Sequence, residues 1–259
     1  MAGRELNPHA LRRQLLRLMR LPFRHLPNNR ESIQKKLLSQ PHRCLDTVFV
    51  LRYAPSTMRV IIVHGFNSNP SMNFYPWLRD SLRERGFEVV APELPLVVEG
   101  DLDLPAVIEK MKAEVGYLKN DDILVGHSLG AFVILRYLEA VEMTETPRAV
   151  IMIAAPFNVS KPELRSLFIA DLDADVLMWK AREFVVVHSR DDNMVPFEHG
   201  EKLASLLKAR LVATQNDGHF LGERYPVLLE TVEEISKRPF EFNPGANLSD
   251  DYSITAASR

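Results

Sequence analysis

The stretch LVGHSLGA, Leu124 to Ala131, sets a serine between two glycines at the spacing G-x-S-x-G, directly behind a short apolar run. A strand that ends in such a turn and passes straight into a helix lifts the serine hydroxyl above the end of a sheet. The turn is strained, and Gly126 and Gly130 are the residues expected to accommodate it. The helix that follows starts at Leu129, whose backbone N–H then lies at a helix N-terminus and can donate to a developing oxyanion. Ser128 is the candidate nucleophile. Five residues also match by chance in ordinary turns, so the reading depends on the surrounding chain.

From Arg59 onward, short β-branched runs alternate with amphipathic stretches of helical length. The strand candidates are RVIIVHG, FEVVAPEL, DDILVGH, RAVIMIAAP, EFVVVHSRDD and RLVATQND, beginning at Arg59, Phe87, Asp121, Arg148, Glu183 and Arg210. The helix candidates are Asn73–Gly86, Leu104–Gly116, Ser128–Val141, Pro196–Ala209 and Tyr225–Arg238. This alternation predicts an α/β fold with a mostly parallel sheet flanked by helices. Phe132, Leu135 and Leu138 give the helix behind Ser128 an apolar face for the sheet. DTVFVLRYA, from Asp46, reads as one further strand with its place in the sheet open. The segment Asn158–Lys180 reads equally as a lid or short helix beside the site and as a surface excursion.

A serine hydroxyl needs a general base, and the base needs a carboxylate to hold its tautomer. In a fold of this type the order along the chain is Ser, Asp, His. SRDDNMVP closes one predicted strand and NDGHF follows the next, so His219 is the candidate base. Of the adjacent aspartates, Asp192 meets the D-x-x-V-P spacing to Val195 and Pro196, and Asp191 is assigned to the turn. VHGFNSNP after the first strand supplies the second oxyanion donor, the Phe66 N–H, beside that of Leu129. His64 is expected to bond within its loop, His127 to pack beneath the turn, and His188 and His199 to be structural. No metal-ligand spacing or glycine-rich phosphate loop is present, and no cofactor is expected.

Four stretches, VHGFNSNPSMNFYPWLRDSL, LVGHSLGAFVILRYLE, SRDDNMVPF and DGHF, closely resemble the small serine hydrolases grouped with retinoblastoma-binding protein 9 and the bacterial YdeN proteins. The resemblance runs from about Arg59 to Lys237. It implies a compact, largely lidless α/β-hydrolase domain with Ser128, Asp192 and His219 as its triad, and activity on activated esters. The double aspartate before Val-Pro belongs to the group's pattern, and the resemblance carries over the second.

The 259 residues, 46% of them hydrophobic, suffice for a large core, and no apolar run approaches the roughly 18 residues of a membrane span. The single cysteine, Cys44, allows no internal disulfide and fits a reducing compartment. Charge is divided unevenly: residues 1–45 hold ten Lys or Arg against two Glu, leaving 22 basic and 32 acidic residues for the rest. The expected organisation is a basic helical extension over 1–45, an α/β-hydrolase domain over 46–240 and a disordered tail over 241–259.

Within the extension, Leu11, Leu15 and Leu18 sit at helical spacing among arginines, which suits a mitochondrial targeting segment. LRRQLLR with Phe23 and NNRES also resembles the first helices of the LYR-motif proteins, with Arg12 where that motif has tyrosine. A helix pair docked on the acidic domain is the third reading. The location is expected to be cytoplasmic, with mitochondrial as the alternative; nucleic-acid binding is not expected. The function expected is hydrolysis of a small-molecule acyl substrate, an ester, thioester or amide. Its alternatives are acyl transfer by the same residues and an adaptor role in which residues 1–45 recruit a protein partner.

Overall fold

The computed structural model describes residues 57–96, 100–159 and 161–238. Six strands form one sheet in the order β2-β1-β3-β4-β5-β6, every neighbouring pair parallel. They are β1 (Arg59–Val63), β2 (Glu88–Val90), β3 (Ile123–His127), β4 (Ala149–Ile153), β5 (Phe184–Ser189) and β6 (Arg210–Thr214). The helices are α1 (Tyr75–Glu84), α2 (Leu104–Val115), α3 (Leu129–Ala140), α4 (Ala174–Leu177), α5 (Phe197–Leu207) and α6 (Pro226–Lys237), with a 3-10 turn at Pro162–Phe168. Each sequence-derived helix is present with its ends trimmed by at most two residues, and β2 is much shorter than its apolar run. The expected strand at Asp46–Ala54, the basic extension and the tail lie outside the described residues.

Alternation along the strands splits the core into two layers. Ile61, Val63, Leu124, Val150, Met152 and Val186 face α2, α3 and α5. Val60, Ile62, Val125, Ile151, Val185 and Val187 face α1 and α6. Both faces are covered, which is why the central strands read as continuous apolar runs rather than as alternating ones. Because the chain runs from β1 outward to β2 and then back across to β3, the loops leaving β1 and β3 diverge. Their C-terminal ends frame the crevice where sheets of this kind hold ligands.

At the opposite end of the same two strands, Arg59 and Asp122 form a buried clasp. The guanidinium reaches both carboxylate oxygens, at 3.0 and 2.6 Å, and also the carbonyls of Val115 and Tyr117. Asp122 accepts a further bond from the Lys119 N–H at 2.8 Å. The hydrogen bond to Asp122 raises the Arg59 pKa above its ordinary value, outweighing burial.

The interval Asn158–Lys180 is neither bare surface nor a separate cap. Leu164, Leu167 and Leu177 join the core beside α3. The 3-10 turn is pinned by a Leu102 N–H to Glu163 carbonyl bond of 2.8 Å and by Ser166 Oγ on the Leu102 carbonyl at 2.6 Å. Its leading residue Lys161 holds its ammonium 5.2 Å from the centre of the Phe66 ring, beside the crevice.

Candidate active site

Between the end of β3 and the start of α3 stands one residue, Ser128, with φ 51° and ψ −124°. The strain therefore falls on the serine itself and not on its glycines, which corrects the sequence expectation. The glycines serve close approach: a Cβ on Gly126 would lie 2.4 Å from Ala131 Cα, and one on Gly130 would lie 2.3 Å from the His64 carbonyl oxygen. Those gaps let the first turn of α3 press onto β3 and β1 together. The Ser128 N–H donates to the Ile153 carbonyl at 2.7 Å, which helps fix a backbone conformation that costs on the order of 1–3 kcal/mol.

Three side chains from three loops meet above this turn. His219 Nε2 lies 2.9 Å from Ser128 Oγ, and His219 Nδ1 lies 2.8 Å from Asp192 Oδ2. The other carboxylate oxygen, Oδ1, accepts the N–H groups of Met194 and Val195, both at 2.9 Å. Burial works against the charge on Asp192, yet hydrogen bonds from His188, His219 and Val195 outweigh it and hold the carboxyl well below its usual range. Ionised Asp192 only accepts, so Nδ1 of His219 carries the proton and Nε2 is free to take one from Ser128. Asp192 and His219 are buried, whereas Ser128 keeps partial access to solvent.

Asp191 has the turn role expected of it. Exposed, it accepts from the Ser189 hydroxyl and, at 3.1 Å, from the Gly218 N–H, so it ties the loop after β5 to the loop that carries His219.

Below the serine, His127 is fully enclosed. Its Nε2 faces the His219 carbonyl at 2.9 Å and its Nδ1 faces the Tyr75 hydroxyl at 2.6 Å. A carbonyl can only accept, so the ring proton sits on Nε2 and Tyr75 donates to Nδ1. The Tyr75 oxygen in turn accepts the Gly65 N–H at 3.0 Å. Burial drives the His127 pKa down to about 3, so the ring is neutral. His64 is likewise neutral: burial lowers its pKa, Nδ1 donates to the Gly65 carbonyl and Nε2 accepts the Leu94 N–H. Nothing in the local sequence pattern around Tyr75 announces this polar contact.

Phe66 lies in the loop after β1, and Leu129, next to Ser128, opens α3. Gly65 backs directly onto Ser128, since a Cβ there would come within 3.3 Å of Ser128 Cβ. His199, expected to be structural, accepts the Phe157 N–H at 3.0 Å and braces the loop after β4. His188, also expected to be structural, instead lies against Asp192, with Nε2 3.4 Å from Oδ2. Among the described residues no group of three or more His, Cys, Asp or Glu is arranged to hold a metal ion, and no helix is long and apolar enough to cross a membrane.

The model of the serine hydrolase family matches residues 60–225. The chain belongs to the serine hydrolase family. Among this family's members it is similar to YdeN of Bacillus subtilis (strain 168), with 29% identity over 182 residues covering 69% of this chain and 94% of YdeN. It is also similar to the serine hydrolase RBBP9 of Rattus norvegicus, with 21% identity over 188 residues covering 70% of this chain and 96% of RBBP9. The crystal structure of the ydeN gene product superposes with a TM-score of 0.65 at 25% identity, covering 70% of this chain and 100% of that one. Est1E of Butyrivibrio proteoclasticus shares the fold, with a TM-score of 0.55 at 16% identity over 69% of this chain and 86% of its own. This serine hydrolase is therefore an α/β-hydrolase-fold enzyme of the YdeN and RBBP9 group.

Proposed function

We propose that this serine hydrolase cleaves carboxylic esters, and by the same chemistry thioesters or amides, through an acyl-enzyme on Ser128. The observation that carries the reading is the unbroken line from Ser128 Oγ through His219 to Asp192, with contacts of 2.9 and 2.8 Å, ending on a partly exposed hydroxyl. Ser128 Oγ attacks the acyl carbon while its proton passes to His219 Nε2, and the imidazolium is stabilised by ionised Asp192. The carbonyl electron pair moves onto oxygen, which the N–H groups of Phe66 and Leu129 receive. Collapse of the tetrahedral species breaks the bond to the leaving alcohol, thiol or amine, which takes the proton back from His219. Water then repeats the sequence against the acyl-serine, releasing the carboxylic acid and restoring Ser128.

No cofactor takes part in these steps. A fluorophosphonate probe should label the wild-type protein at Ser128, and activated esters of graded acyl length should be turned over. Ser128→Ala should neither be labelled nor turn over. Equal labelling of both proteins would remove Ser128 from the role of nucleophile.

A further inference from the structure

The carboxylate of Asp192 faces two imidazoles, and the reaction as described uses only one. His219 Nδ1 lies 2.8 Å from Oδ2, and His188 Nε2 lies 3.4 Å from the same oxygen. His188 is in β5, with no exposed surface. Its Nε2 is also 2.9 Å from the Val195 carbonyl oxygen, which can only accept, so this nitrogen carries the proton. Val195 closes the loop by returning its own N–H to Asp192 Oδ1 at 2.9 Å. The ring has little freedom to turn away. A Cβ on Gly200 of α5 would stand 2.6 Å from Nδ1, and Phe197 meets the ring edge-on with centroids 5.7 Å apart.

We propose that His188 is a positioning residue for the proton-transfer pair: its Nε2–H spans the Val195 carbonyl and Asp192 Oδ2, fixing the carboxylate against His219 and drawing off part of the negative charge that His219 feels. The inference rests on the reading of Ser128, His219 and Asp192 given above. A carboxylate oxygen shared between two N–H dipoles supports an adjacent imidazolium less strongly than one facing a single donor. Without His188 the oxygen that faces His219 would lose its second donor and the carboxylate one of its two anchors, so the pH profile and kcat should both respond. The other titratable or charged groups around the cluster are His127 below His219, Asp191 and Arg190 on the loop after β5, and Glu198, His199 and Lys202 on α5.

The test is the pH profile of kcat/KM on an activated ester for wild type, His188→Leu and His188→Gln, with Ser128→Ala carried alongside. In His188→Leu the ascending limb should move to higher pH by a few tenths to about one unit. Its kcat should fall by roughly tenfold, with KM changing much less. His188→Gln, whose amide nitrogen can take the place of Nε2, should hold the limb near its wild-type position. Loss of folded protein lowers the amplitude of the profile without moving its midpoint, so a merely structural histidine would leave the limb in place. An unmoved limb in His188→Leu, or an equal shift in both variants, overturns the role of His188. Turnover by Ser128→Ala would instead overturn the reading of the site on which it rests.

Discussion

The Tyr75 hydroxyl donates to His127 Nδ1 across 2.6 Å and so joins helix α1 to the residue preceding the serine. With Gly65 on one side of this bond and the His219 carbonyl on the other, one buried chain of contacts braces the loop bearing Phe66 and the loop bearing His219. Tyr75→Phe keeps the ring and removes the connection, leaving the Gly65 N–H and His127 Nδ1 unpaired. Urea unfolding should show a loss of about 1–3 kcal/mol. Ester kinetics should show a lower kcat with KM little changed; an unchanged kcat would mean that the brace serves stability alone.

Gly130→Ala should be far more damaging than its single added methyl suggests. The new Cβ would meet the His64 and Val63 carbonyl oxygens at 2.3 and 2.5 Å, both backbone atoms that can yield only by moving β1 away from α3. A destabilisation of about 1–3 kcal/mol is expected, together with loss of activity in the fraction that remains folded. Thermal melting and probe labelling read the two effects separately.

Acid should destabilise the fold through its buried imidazoles. His127 is held down to about 3 in the folded protein, against about 6.5 in the unfolded chain. Between those values the unfolded chain binds a proton that the folded one refuses. Stability therefore falls as pH drops below about 6.5, by up to about 1.4 kcal/mol per unit for one such group. His64 adds an effect of the same sign. Asp192 acts further down: its folded pKa is depressed, so its contribution is complete above the unfolded value near 3.8 and is lost as pH falls through the folded value. Urea midpoints taken between pH 7.5 and 5 should decline in the wild type and decline less steeply in His127→Gln.

The clasp of Arg59 and Asp122 stands at the end of the sheet away from Ser128, so its loss should separate stability from catalysis. Asp122→Ala leaves a buried guanidinium uncompensated and should cost about 3–5 kcal/mol. Activity per folded molecule at moderate temperature should stay near that of the wild type. A fall in kcat proportionate to the loss of stability would show that the two ends of the sheet are coupled.

Much of this protein is legible before any coordinates, and the reasons are local. Strand and helix periods mark the βαβ units, and the D-x-x-V-P spacing separates Asp192 from Asp191 because the chosen aspartate must accept N–H groups from its own turn. The contacts of Tyr75 and of the Arg59 clasp escape such reading, since their partners lie 52 and 63 residues away. His188 is harder still. It is only four residues from Asp192, yet in an extended strand nothing marks which face of the carboxylate it reaches. The G-x-S-x-G pattern marks the two glycines, yet not their reason: they admit neighbouring backbone, while the positive φ belongs to Ser128.

The line from Ser128 to Asp192 closes over separations of 91 residues, from Ser128 to His219, and 27, from His219 to Asp192, and it draws on β3, β5 and β6. β3 and β5 are joined only through β4, and β6 pairs in turn with β5. Turnover is then a report on completed topology: a refolding chain should regain helical signal before it regains catalytic power, because helices close locally and this site closes last.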